Sequence, residues 1–220
     1  FTIPAVVRGP GGVGRQLGAE HSQRLEAYFH AVPGIKIVAV STPTNAKGLM
    51  KAAIRDNDPV IFCEHKLLYG ETGEVPDGEY LVPFGKANIT RSGTDVTVVA
   101  FSRMVLLANK VADKLAHEGI SVEVIDPRTT SPLDRGAILA SIAKTGRLVV
   151  LDESDPYCGM ASEITALAAT EAFSSLKAAP AKITPPHTPV PSTPHLEQLW
   201  LPSLERIEST IRATVGTKAA

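Results

Sequence analysis

The sequence predicts an α/β protein, with parallel sheets and helices on both faces, built as two successive units. Short runs rich in Val and Ile recur from Ile3–Val7 to Ala181–Ile183, and helix-periodic stretches alternate with them. Such alternation implies parallel strands joined by right-handed crossovers. A stretch rich in Gly, Pro and acids, Lys66–Pro83, separates two such series and reads as a domain linker. With 220 residues, the chain can bury a core in each unit.

In order, Ile3–Val7 is an apolar strand. Ser22–Ala31 reads as a helix with Leu25, Phe29 and Val32 on one face. Ile35–Val40 is a strand, Asn45–Arg55 a helix capped near Thr44, and Pro59–Cys63 a buried strand. The second series opens with an edge strand at Gly85–Thr90 and a core strand at Asp95–Phe101. Met104–Glu118 is a helix stopped by Gly119. Ser121–Ile125 is a strand, Leu133–Lys144 a helix, Arg147–Leu151 a strand and Ala161–Leu176 a helix. Ala181–Ile183 is a short strand. After the proline-rich Pro185–Pro194, the amphipathic stretch Ser203–Val215 closes the series. The first series is short of strands for a complete doubly wound domain. It starts at Phe1 directly on a strand pattern, and a fragment or processed chain is expected.

Composition narrows the class of function. The formal charge is −1 and basic residues are scattered, which argues against nucleic-acid binding. No apolar run approaches the ~20 residues of a membrane span. Two cysteines, Cys63 and Cys158, lie far apart and read as reduced thiols in a cytoplasm, plastid stroma or mitochondrial matrix.

Arg8–Gln23 is the most informative stretch. Glycines at 9, 11, 12, 14 and 18 allow close backbone approach, and they lead to a polar cluster of Glu20, His21, Ser22 and Gln23. Gly9, Gly11 and Gly14 fit G-x-G-x-x-G, but no helix opens inside the motif and the next strand ends in Ser41 and Thr42. A dinucleotide fingerprint is therefore excluded. The absence of Gly-Lys-Ser/Thr excludes a nucleotide P-loop. His21, beside Glu20, suits proton transfer near neutral pH, or it is a polar residue capping its own helix.

Other polar groups gather at strand ends, where α/β sites form. Asp56, Asn57 and Asp58 could face a hard cation, although the tripeptide alone favours an ordinary turn. Glu64, His65 and Tyr69 either line a cleft or lie on a surface loop. Asp152, Glu153 and Asp155 could perturb one another's pKa, but a solvated acidic turn is the simpler reading. Cys158 has no adjacent base and reads as a packing residue, and Trp200 as core or interface.

Longer motifs then carry a resemblance. Arg8-Gly-Pro-Gly-Gly through Gly18-Ala-Glu-His-Ser-Gln23, Ala53-Ile-Arg-Asp-Asn-Asp-Pro-Val60 and Glu64-His-Lys-Leu-Leu-Tyr69 resemble beta subunits of thiamine-diphosphate-dependent 2-oxo acid dehydrogenases. So do Val124-Ile-Asp-Pro-Arg-Thr-Thr-Ser-Pro-Leu-Asp134 and His187-Thr-Pro-Val-Pro191. The likeness covers nearly the whole chain. It is strongest to pyruvate dehydrogenase beta subunits of the bacterial and plastid kind, with acetoin dehydrogenase beta subunits close behind.

The resemblance implies part of a pyrimidine-binding domain over 1–78 and a transketolase C-terminal domain over 79–220. It implies oxidative decarboxylation of pyruvate with reductive acetylation of lipoyl groups, in an alpha2beta2 heterotetramer that docks a dihydrolipoamide acetyltransferase. Thiamine diphosphate would be shared with the alpha subunit, which also holds Mg2+. The glutamate that activates the cofactor falls upstream of Phe1, so neither Glu20 nor Glu64 takes its place. His21 matches the histidine that reaches the shared active site. A structural K+ would use Ala5, Ala53, Ile54, Asp56 and Asp58, largely through backbone oxygens. The second domain is expected to do little chemistry. A non-catalytic assembly module is the rival reading.

Overall fold

The computed structural model describes residues 1–216. The first sheet has strand order β1-β3-β2-β7, formed by Val6–Gly11, Val60–His65, Lys36–Ala39 and Thr129–Ser131 respectively. β1 and β2 pair with β3 in parallel, and β7 runs antiparallel to β2. Three helices lie along this part of the chain: α1 (Gly18–His21), α2 (Glu26–His30) and α3 (Pro43–Ile54). Thr42 caps α3 by accepting the Asn45 amide at 3.2 Å, and Pro43 occupies the first turn, where a missing N–H costs nothing.

The second sheet, β4-β6-β5-β8-β9, comprises Asn88–Arg91, Val122–Asp126, Val96–Ala100, Leu148–Leu151 and Ala181–Ile183. Only β4 is antiparallel. One face packs Val96, Val98 and Ala100 against α4 (Arg103–Ala116) and α8 (Leu204–Val215). The other packs Val99, Ile125 and Val150 against α5 (Arg135–Thr145) and α6 (Met160–Glu171). With both faces covered, β5, β6 and β8 are buried along their whole length.

Several expectations are corrected. The first strand is Val6–Gly11, so Arg8–Gly11 belongs to the sheet rather than to the loop. Of the helix expected at Ser22–Ala31 only Glu26–His30 is helical; Ser22–Leu25 is a break that separates it from an unexpected short helix, Gly18–His21. In that break Ser22, Arg24 and Glu26 turn inward while His21, Gln23 and Leu25 stay exposed, a period of two rather than 3.6. Leu25 and Val32 consequently form no buried face. The helix expected at Ala161–Leu176 stops at Glu171 and is followed by a 3-10 turn at Phe173–Ser175.

Elements not expected from the sequence include a 3-10 turn at Lys66–Gly70, β7, and α7 at Pro194–Trp200. β7 brings residues of the second series into the first sheet, with Ile37 opposite Ser131 and Val38 opposite Thr129. The expected linker is also engaged. It packs Val82 and Tyr80 over Gly48 of α3, where an added Cβ would lie 2.5 Å from Val82.

Candidate functional site

The glycine loop after β1 is built around left-handed backbone. Gly12 and Gly14 sit at φ +89° and +113°, a region closed to most side chains. This geometry presents successive amides to anions, and the anions come from the second domain. The Val13 amide donates to Glu153 Oε1 at 2.7 Å. The Gly14 and Gln16 amides donate to Glu197 Oε1 at 2.9 and 3.1 Å, and Gln16 Nε2 donates to Glu197 Oε2 at 2.7 Å. Glu153 and Glu197 are only 4% and 2% exposed. The loop thus has the backbone of a phosphate cradle, but its own chain supplies the charge.

A buried polar cluster lies beneath. His65 Nε2 faces Glu153 at 3.0–3.1 Å, and His65 Nδ1 accepts the Leu67 amide at 3.1 Å. Because Nδ1 is an acceptor, the proton sits on Nε2 and is donated to Glu153. Burial pushes the Glu153 carboxyl up, but the His65 N–H and the Val13 amide together hold it below the usual carboxylate range. Gly12 lies flat on the His65 ring, with an added Cβ only 2.4 Å from Nε2. Arg24 donates to the Glu64 carbonyl at 2.9 Å and pairs with Glu26. Beside them, burial raises the Cys63 thiol to about 12, so Cys63 is no nucleophile.

Above this cluster, α1 delivers His21 to the surface. Its side chain is 68% exposed and lies 4.0 Å from Glu20. It opens onto a groove of about 450 Å³ lined by Pro10, Leu17, Leu25 and Lys66. The Lys66 ammonium donates to the His21 carbonyl, which fixes the end of the short helix from outside. The imidazole therefore faces solvent at the carboxyl end of the sheet.

Other expected groups fall differently. Glu64 and His65 are buried at the end of β3, with Tyr69 exposed beyond them, so the surface-loop reading fails for the first two. Glu64 is instead clamped by Arg8 Nε at 2.7 Å and by the Tyr69 hydroxyl. Asp152 and Glu153 are likewise buried, not a solvated turn, and burial raises Asp152 to about 6. Cys158 is exposed rather than packed.

Asp126, unmarked by the sequence reading, joins this domain boundary. It accepts the Ser41 hydroxyl and Asn45 Nδ2, the latter at 3.2 Å, and burial raises it to about 6.

At the turn after α3, Lys36 Nζ lies 2.6 and 2.7 Å from the two Asp56 oxygens and 3.1 Å from Asp58. One ammonium thus faces two carboxylates, which offsets one of the two negative charges of that turn. The Ala5 and Ala53 carbonyls accept the Val60 and Asp56 amides at 2.9 and 3.2 Å, leaving each oxygen a second lone pair. Among the described residues no cluster of three or more His, Cys, Asp or Glu side chains is placed to hold a metal. No helix among them is long and apolar enough to cross a membrane.

Comparison with known proteins accounts for this arrangement. Residues 1–72 match the transketolase pyrimidine binding domain, and residues 85–207 match the transketolase C-terminal domain. The chain is 51% identical over 212 residues to the acetoin:2,6-dichlorophenolindophenol oxidoreductase subunit beta of Cupriavidus necator, covering 96% of this chain and 63% of that protein. It is 45% identical over 217 residues to the pyruvate dehydrogenase E1 component subunit beta of Porphyra purpurea, covering 99% and 66%. With the mitochondrial pyruvate dehydrogenase E1 component subunit beta-1 of Arabidopsis thaliana the identity is 48% over 211 residues, covering 94% and 58%. The chain spans less than two thirds of the length of these curated relatives. A solved structure described as a split gene transketolase, inactive beta4 tetramer, superposes with a TM-score of 0.78 at 21% identity, covering 97% of this chain and 67% of that one; this likeness establishes the fold. The chain belongs to the transketolase family, matching its pyrimidine binding domain and then its C-terminal domain.

Proposed function

We propose that this chain acts within the beta subunit of a thiamine-diphosphate-dependent pyruvate dehydrogenase component. There it would take part in oxidative decarboxylation of pyruvate and reductive acetylation of lipoyl groups. The observation that carries this reading is the exposed His21 imidazole at an open strand-end groove, in a chain with both transketolase domains. The groove is one wall of a site, which fits a cofactor shared with a second polypeptide. The partners proposed are an alpha subunit, giving an alpha2beta2 heterotetramer, and a dihydrolipoamide acetyltransferase. The division of domains proposed is 1–78 and 79–220, and the compartment is a bacterial cytoplasm, plastid stroma or mitochondrial matrix.

Thiamine diphosphate, held with Mg2+ by the alpha subunit, would supply the electron sink for carbon–carbon bond cleavage. This chain's residues do the remaining work. His21 Nε2, free of any tight partner, gives or takes a proton at the reacting group. Pro10, Leu17 and Leu25 supply apolar wall that sheds water as the groove closes against its partner.

The turn at Asp56–Asp58 is proposed to hold K+ through the Ala5, Ala53, Ile54, Asp56 and Asp58 positions. Lys36 occupies both Asp56 oxygens and reaches Asp58, so the proposed ligands are mainly carbonyl oxygens, and the single negative charge left on the turn suits a monovalent ion better than a divalent one. Melting the protein in K+ and in choline at equal ionic strength tests this; no difference in Tm would rule the site out.

A second reading, cleavage of acetoin, is favoured by the 51% identity to the Cupriavidus protein, against 45% and 48% to the two pyruvate dehydrogenase subunits. Assaying the full-length protein with its alpha partner on pyruvate and acetoin side by side decides between them. His21→Ala in the same complex should abolish most turnover on the preferred substrate. Full turnover by that variant with intact assembly would instead make the chain a non-catalytic assembly module.

A further inference from the structure

We propose that Glu197 of the second domain is a positioning residue for His21. It sets the conformation of the glycine loop that carries the imidazole, and this inference rests on the reading of His21 given above. The loop has no regular structure between Gly11 and Gly18, and three of its residues are in left-handed backbone. Such a segment has many conformations of similar energy unless its amides are tied down. Val13 is tied at one end by Glu153, which His65 also holds. From Gly14 to Gln16, all three described ties to a side chain run to Glu197. His21 begins only a few residues further on, and Lys66 holds its carbonyl from the other side.

Glu197 is buried in the first turn of α7, a helix that opens at the end of the proline-rich stretch and has no other chemistry assigned to it. A carboxylate is expensive to bury. Here it accepts three hydrogen bonds, all from one loop of the other domain. A purely structural helix needs no such charge at that position. The second domain, expected to do little chemistry, therefore reaches the site through this side chain.

The test uses the full-length protein assembled with its alpha partner, carrying Glu197→Ala, Glu197→Gln or His21→Ala. Glu197→Ala should lower kcat by up to about 100-fold while KM for the 2-oxo acid changes little, because misplacement of a reacting group costs rate rather than binding. Amide exchange over residues 13–21 should accelerate in the same variant, with β5 and β8 unchanged. Glu197→Gln keeps an acceptor for the Gly14 and Gln16 amides and should fall between wild type and Glu197→Ala in both readouts. It also serves if the alanine variant fails to assemble. Unchanged exchange at 13–21 overturns the proposal, as does faster exchange with wild-type kcat while His21→Ala is inactive. Full activity of His21→Ala would sink the functional reading instead, and the exchange data would then decide the loop restraint alone.

Discussion

His65 Nε2 and Glu153 Oε2 lie 3.0 Å apart, both almost wholly buried, one from each domain. This pair is the polar centre of the contact between the two halves. It holds because His65 donates from one nitrogen and accepts from the other, while Glu153 accepts from a second donor, the Val13 amide.

Replacing His65 with Ala leaves Glu153 buried with one donor fewer and opens a void under Gly12. Losing a hydrogen bond to a buried charged group costs about 1.5–3 kcal/mol, the void adds to it, and a loss of a few kcal/mol (~2–4) is expected in urea unfolding. A variant within 1 kcal/mol of wild type would show that the pair contributes little.

Gly12→Ala should destabilise the protein, because its Cβ would meet the His65 ring in a backbone region that already disfavours a side chain. Gly9→Ala, with nothing within 4 Å, should be nearly silent. Thermal melts of the two variants make the comparison, and equal Tm values would refute it.

His21→Ala should leave stability within about 0.5 kcal/mol, as for most exposed positions. In the assembled complex it should cost about 10²–10⁴ in turnover, the range for a lost acid–base group. Steady-state kinetics and melts on the same sample separate the two effects.

Asp126 and Asp152 give a pH dependence with a definite sign. Burial raises both from 3.8 to about 6, so the folded state holds protons that the unfolded state has released. Their contribution is complete below pH 4 and is lost as pH rises through 6, by an amount on the order of a few kcal/mol. Glu153, whose pKa is lowered, acts in the opposite direction and loses its contribution below its folded pKa. Asp126→Asn should therefore gain stability relative to wild type between pH 4 and 7. A difference that stays constant across urea titrations at pH 4.5, 5.5 and 7 would contradict this.

What the sequence disclosed follows from where the information lies. β2, α3 and the alternating second series were legible because period, caps and glycine stops are local signals. The glycine after α4 acts within a few residues of the helix it ends, and the α3 cap, expected near Thr44, is Thr42 two residues earlier. Glu197 was passed over, Glu153 was read as solvated and His65 was left between cleft and surface loop, because a polar side chain reads as solvated unless its partner is known. Here the partners are 88 to 183 residues away. β7 was missed for the same reason: Thr129–Ser131 is too short and polar to read as a strand, and its pairing with β2 is set by tertiary contact. The break at Ser22–Leu25 was misread because a helical face was assigned to residues that bury every second side chain. The glycines before His21 announce a loop, and its side chain lies exposed on a groove beyond β1.

The antiparallel ribbon that Thr129–Ser131 lends to Lys36–Ala39 has a practical consequence. Cutting the polypeptide between the two family matches would strip the first half of its outermost strand and bare a row of amides and carbonyls. Raw sheet margins recruit neighbouring molecules. Halves produced separately are thus expected to precipitate, and co-expression of both pieces should restore solubility by strand complementation.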